Sequence, residues 1–181
     1  MKRSGVLAVV AVLVVAVAAW FWLRSGSEQI TVDLVNTFSA AQKRPSAESF
    51  TSGPVTIAGV TKESIQPREP SRITYTQVTV PQNGSLKVSL ALLEQGWTMD
   101  GDGVMFRIGV STGGRYDELL NIMRNPFANP NDRNWHDVTV DLSEYAGEKV
   151  DLVFNTNSSA PGGDNRNGDF PVWGAPRIVV D

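Results

Sequence analysis

The sequence predicts an all-β sandwich domain behind a membrane-spanning N-terminal helix. Three observations carry that prediction. Residues 5–23 are nineteen apolar or small residues without a charge. From Phe50 onward, apolar side chains recur at every second position, as on half-buried strands. Gly, Asn and Pro punctuate those runs at short intervals, the habit of many short strands joined by turns.

As a helix, residues 5–23 would rise roughly 28 Å, close to the hydrocarbon thickness of a bilayer. Lys2 and Arg3 precede the run, and Trp20 and Trp22 sit near its far end, where amphipathic rings favour the interface. The prediction is a signal-anchor over residues 1–24, single-pass in the cytoplasmic membrane, with the C-terminal domain outside the cytoplasm. The alternative is a signal peptide cleaved after Ala16, Val17 and Ala18. The length of the run and its aromatic end favour the uncleaved anchor.

Residues 25–48 read as a polar spacer followed by an amphipathic helix. Leu34, Val35, Phe38 and Ala41 fall at helical spacing, Thr31 or Asp33 can cap the N-terminus, and Pro45 ends the run. The predicted helix covers about 31–43.

Residues 49–181 form the predicted sandwich. Val55 and Ile57 alternate before Gly59, and a loop with Pro67 and Pro70 follows. Residues 73–80 are dense in Thr, Val and Tyr, and Leu86, Val88, Leu90 and Leu92 share one face. Asn83 and Gly84 between them predict a hairpin. Val104, Phe106, Ile108 and Val110 alternate up to Gly113 and Gly114. Residues 116–123 fit either a strand or a helical turn. Val138, Val140 and Leu142 predict another strand, as do Val150, Leu152 and Phe154, and residues 177–180 predict a short final one.

Composition removes several functions. Absent cysteine excludes disulfides, thiolate metal sites and cysteine nucleophiles. A single histidine, His136, excludes a two-histidine metal site within one chain. Beyond residue 23, fourteen basic residues face nineteen acidic ones, a net charge of −5, which disfavours nucleic acid as a partner. There is no Gly-x-Ser-x-Gly and no phosphate-cradling glycine loop.

The stretch from Trp135 to Phe154 joins Trp135, an alternating strand, Asp141, Leu142 and Ser143, the aromatic Tyr145, Ala146 and Gly147, and a second alternating strand. Together with residues 101–108 and the run Trp173, Gly174, Ala175 and Pro176, it resembles the galactose-binding-like jelly-rolls, which include many carbohydrate-binding modules. The pattern also resembles extracytoplasmic sandwich domains of bacterial membrane proteins. The resemblance covers about residues 50–181 and implies a jelly-roll fold. It also implies glycan binding through loops or a sheet face, and a structural calcium.

Candidate ligand residues follow. Trp173, after the longest polar loop, and Trp97 and Tyr116 are aromatic faces on which sugar rings stack, with packing at the sandwich edge as the competing role for Trp. Arg107 alternates with Phe106 and Ile108, and Asn155 follows Phe154. If those strands share a sheet, both side chains leave its polar face. Asn165, Asn167 and Asp169 place oxygen-bearing groups at alternate positions, which suits calcium, with a plain polar loop as the alternative. Leu142 and Tyr145 are expected to close the open end of the sandwich.

The resulting expectation is a non-catalytic module contacting a glycan or envelope polymer. The alternative is an assembly subunit docking on an envelope or membrane protein. A hydrolase would require two carboxylates facing each other across a cleft.

Overall fold

The computed structural model describes residues 28–158 and 165–180. The predicted anchor, residues 1–24, lies outside them. Among the described residues no helix is long and apolar enough to cross a membrane.

The strands are β1 (Gln29–Asp33), β2 (Gln42–Arg44), β3 (Phe50–Ile57), β4 (Val60–Pro67), β5 (Ser71–Thr79), β6 (Gly84–Leu92), β7 (Val104–Thr112), β8 (Arg115–Arg124), β9 (His136–Asp141), β10 (Lys149–Ser158) and β11 (Pro171–Val180). They form two sheets. One runs β3-β4-β11-β6-β9, with β1 also pairing with β11, and the other runs β2-β5-β10-β7-β8. Their inner faces meet in one core.

Alternation decides which side chains enter that core. Leu86, Val88, Leu90 and Leu92 come from β6, and Val104, Phe106, Ile108 and Val110 from β7; all are buried. Val150, Leu152 and Phe154 of β10 join them. Between the sheets, the Trp173 ring meets Phe106 and Phe154 edge-on, at centroid distances of 4.9 and 5.0 Å and interplanar angles of 88° and 89°. Leu142 and Tyr145 seal one end, as expected, on the short 3-10 turn Ser143–Tyr145. Gly147 follows at φ +82°, a conformation that L side chains rarely adopt, and returns the chain into β10.

Four local expectations are corrected. Residues 31–43 are not an amphipathic helix. Thr31 donates to the Ile178 carbonyl and Leu34 N–H to the Pro176 carbonyl, so β11 takes up the segment as a strand. The Asp33 carboxylate then accepts from the N–H groups of Val35 and Asn36 and turns the chain. Leu34 and Phe38 still reach the core. Sheet pairing won because a helix over this segment would leave that part of β11 without a partner.

The hairpin expected around Asn83 and Gly84 is an arch between sheets, since β5 and β6 belong to different ones. A two-residue hairpin turn of type I′ needs positive φ at both central residues. Here Asn83 has it and Gly84 does not. Positive φ at both positions occurs instead at Ala58 and Gly59, between β3 and β4, and at Gly113 and Gly114, between β7 and β8.

Residues 60–67 are strand rather than loop. The last strand begins at Pro171, well before residue 177. Pro176 and a bulge between Gly174 and Arg177 hide its alternation.

Residues 115–124 prove to be a strand. Opposite β7 the register moves from Leu120 against Ile108 to Glu118 against Gly109, which leaves Leu119 as an extra residue. That bulge is why the apolar spacing fits neither period cleanly.

Replacing Trp173 with Ala should remove the contact between sheets and cost about 3–5 kcal/mol of stability. Urea unfolding followed by circular dichroism measures it, and a loss below about 1 kcal/mol would place the ring outside the load on the core.

Candidate functional site

The outer face of the five-stranded sheet holds a groove of about 840 Å³. Its register builds it. Arg44 stands opposite Arg72, Arg72 opposite Asn155, and Asn155 opposite Arg107. Directly opposed residues of an antiparallel pair point to the same face. Each partner on the inner face is a core residue: Ile73, Phe154, and Phe106 with Ile108. Burial of those residues therefore sends the arginines and the asparagine outward.

Two irregularities shape the walls. Thr76 and Gln77 of β5 together face Asp151 of β10, where the register slips. Gln77 has φ +55°, and its N–H donates to Asp151 Oδ1 at 3.0 Å. On the other side, the bulge at Leu119 sets Glu118 beside Arg107, with 3.7 Å between Oε2 and Nε. Tyr116 lies across Gly109, where a Cβ would meet its phenol ring and the Asp117 carbonyl. Gly109 thus makes room for the ring, which remains 47% exposed.

The polar groups are arranged for hydrogen bonding. Arg72 Nε donates to Asn155 Oδ1 at 2.7 Å, which orients both side chains. Burial raises the Tyr116 phenol above its ordinary pKa, Glu118 adds to the rise, and Arg72 and Arg107 pull the other way. The phenol stays neutral at physiological pH and both donates and accepts. An exposed aromatic face, two arginine forks and an amide over one groove suit a polar ligand with several oxygens.

Three of the residues singled out in the sequence, Arg107, Asn155 and Tyr116, therefore meet at one place. Trp173 does not join them. It is 1% exposed and offers no face to a ligand, because Phe106 and Phe154 enclose it. Trp97 is also elsewhere: it packs beside Val55, Ile57, Ala91 and Val172 and donates to the Leu92 carbonyl. Arg44, Arg72, Glu118 and Asp151 were missed. Arg72 was readable as the outward neighbour of Ile73. Arg44 was not, because its segment carried a helical spacing.

The residues expected to hold calcium share one loop, where two of them bind a neighbouring backbone carbonyl. The amides of Asn165 and Asn167 both donate to the Asp100 carbonyl, at 2.8 and 3.4 Å, and so tie two loops together. Asp169 turns inward, 8% exposed, toward Glu69. Both Glu69 oxygens are sealed from solvent, and no N–H among the described residues reaches them. Burial, then the hydrogen bond and charge of Asp169, push Glu69 from its ordinary 4.5 up to about 8. Among the described residues no three Asp, Glu or His side chains converge as a metal cluster. The Arg166 charge pulls Glu69 the other way, so a cation of the protein already acts on this carboxyl pair. Glu69 lies about a hundred residues from Asp169, so no local spacing announced it.

No family model matches the chain. An uncharacterized protein of Archaeoglobus fulgidus is 38% identical over 109 residues, which are 60% of this chain and 27% of that protein. The chain thus spans about a quarter of that relative. Among solved structures, TmCBM61, a carbohydrate-binding module in complex with β-1,4-galactotriose, has a TM-score of 0.53 at 9% identity, covering 84% of this chain and 99% of that one. The K1 cleaved adhesin domain of Lys-gingipain from Porphyromonas gingivalis has a TM-score of 0.52 at 14% identity, covering 86% and 99%. The fold is that of the galactose-binding-like jelly-rolls, similar to carbohydrate-binding modules.

The Glu69 shift has a pH signature. With chelator present, the folded state holds the Glu69 proton more tightly than the unfolded chain does. Its contribution is complete below pH 4.5 and disappears as pH rises through about 8. The unfolding temperature should therefore fall across that window, and Glu69→Gln should flatten the fall. Thermal scans from pH 4 to 9 check both.

Proposed function

We propose that the chain is a non-catalytic binding module that receives a glycan or another envelope polymer in the groove on the five-stranded sheet. The observation that carries this reading is the convergence of Arg107, Asn155 and Tyr116 over one concavity of about 840 Å³. The saccharide class is supported by the jelly-roll neighbour solved with β-1,4-galactotriose. A binding role rather than hydrolysis is favoured because the facing carboxyl groups, Glu69 and Asp169, have buried oxygens that no substrate touches. Within the groove, Glu118 is engaged with Arg107 and Asp151 with the Gln77 N–H.

In this reading residues 1–24 anchor the module in the cytoplasmic membrane and hold it outside the cytoplasm. The support is the charge-free run of nineteen residues with tryptophans at its far end. Calcium is the proposed cofactor, with a structural role at the loop of Asn165, Asn167 and Asp169 beside residues 100–102.

A glycan array probed with the full-length chain, in a detergent without a sugar headgroup, tests the reading. Tyr116→Ala and Asn155→Ala should each weaken binding about tenfold, with unfolding temperature within a few degrees of the parent. Binding that survives both substitutions unchanged would move the ligand off this face. For the cation, calcium added after chelation should raise the unfolding temperature of the parent and leave Asp169→Asn unmoved.

A further inference from the structure

The charge layout of the groove points to the kind of saccharide, an inference that rests on the glycan reading above. Three arginines from three strands line the groove, Arg44 on β2, Arg72 on β5 and Arg107 on β7, against two acids, Glu118 and Asp151. The acids are committed. Glu118 lies 3.7 Å from Arg107, and Asp151 accepts from the Gln77 N–H. Among the described residues no carboxylate lies within ion-pair distance of Arg44 or Arg72. Arg72 is steadied by a neutral acceptor, Asn155 Oδ1, which leaves its terminal nitrogens available.

This surplus of positive charge sits on a domain that is otherwise acidic, with a net charge of −5 beyond residue 23. The arginines stand on one cross-strand line, and adjacent strands are about 4.8 Å apart, so Arg44 and Arg107 are separated by roughly 14 Å. One strand spacing is close to the length of one sugar unit in an extended chain. Arg44 and Arg72 stand directly opposite each other, and a bound anion relieves the repulsion between them. Guanidinium forks also match the paired oxygens of carboxylate and sulfate in a way that sugar hydroxyls do not. A neutral sugar would ask for more stacking surface than this groove has, since among the described residues Tyr116 is its one aromatic lining residue.

We propose that the groove selects an acidic saccharide, whose carboxylate or sulfate groups are received by Arg44, Arg72 and Arg107. Both anions present the same chemistry, planar or tetrahedral oxygens to a guanidinium, and the experiment separates them.

Affinity electrophoresis of the full-length chain in sugar-free detergent would compare three polymers: neutral galactan, polygalacturonate and a sulfated galactan. At least one acidic polymer should bind about tenfold or more tightly than galactan, and weaken as salt is raised. Arg44→Gln and Arg72→Gln should each lose most of that preference, with unfolding temperature unchanged because both side chains are exposed. Polygalacturonate retained more strongly assigns carboxylate, and sulfated galactan retained more strongly assigns sulfate. Galactan binding as tightly as both, in a Tyr116-dependent manner and unaffected by the arginine substitutions, would overturn the acidic preference and leave the glycan reading standing. No binding to any of the three polymers, when an array also finds no glycan, would overturn both.

Discussion

The edge-on packing of Trp173 against Phe106 and Phe154 is the contact on which the geometry of the groove depends. Trp173 belongs to one sheet and its two partners to the other, so this cluster fixes β7 and β10 relative to the core. A strand that commits one residue inward commits its neighbours outward. Holding Phe106 and Phe154 inside therefore holds Arg107 and Asn155 outside, directly opposite each other. A one-residue slip of either strand would bury a guanidinium or an amide and expose a phenyl ring. The same packing that stabilises the sandwich thus sets the register of the groove.

Regular alternation supplies a flat polar face, and the irregularities make it concave. The slip at Thr76 and Gln77 and the extra residue at Leu119 lie on either side of the Arg72, Asn155 and Arg107 row. Bulges bend and twist the strands that carry them. They also turn Asp151 and Glu118 toward the groove, where each meets a specific donor. Gly109 contributes by lacking a side chain, which lets Tyr116 lie down against the sheet. The far end of the domain follows a different logic. There, the loops around Asp100 and Asn165 are joined by amide to carbonyl bonds, and burial with the neighbouring Asp169 raises the Glu69 pKa.

Residues 104–110 and 150–154 were legible in the sequence because their neighbours obey a strict period of two, and that period also revealed Arg107 and Asn155 as outward residues. Tyr116 was visible through its place after the paired glycines. Trp173 was misplaced because Pro171, Gly174 and Pro176 disguise a strand as a loop, and a tryptophan in a loop reads as exposed. Residues 31–43 were misread because Leu34, Val35, Phe38 and Ala41 carry a helical spacing, whereas pairing with β11 is a property of a strand far along the chain. The arch at Asn83 failed for a related reason: Asn and Gly permit a tight hairpin without deciding which sheet the next strand joins. Arg44 and Glu69 became visible only when distant segments met. Single-sequence periodicity carries no such information.

The proposed function places the ligand on the outer face of the five-stranded sheet. Backbone amide shifts of the labelled chain, titrated with the saccharide that binds it best, locate that ligand residue by residue. The largest shifts should fall on residues 71–74, 105–111, 115–118 and 151–157, with little change at residues 94–103 and 165–170. Shifts concentrated on those two loops, with the sheet face silent, would contradict it and move the ligand to the end of the sandwich.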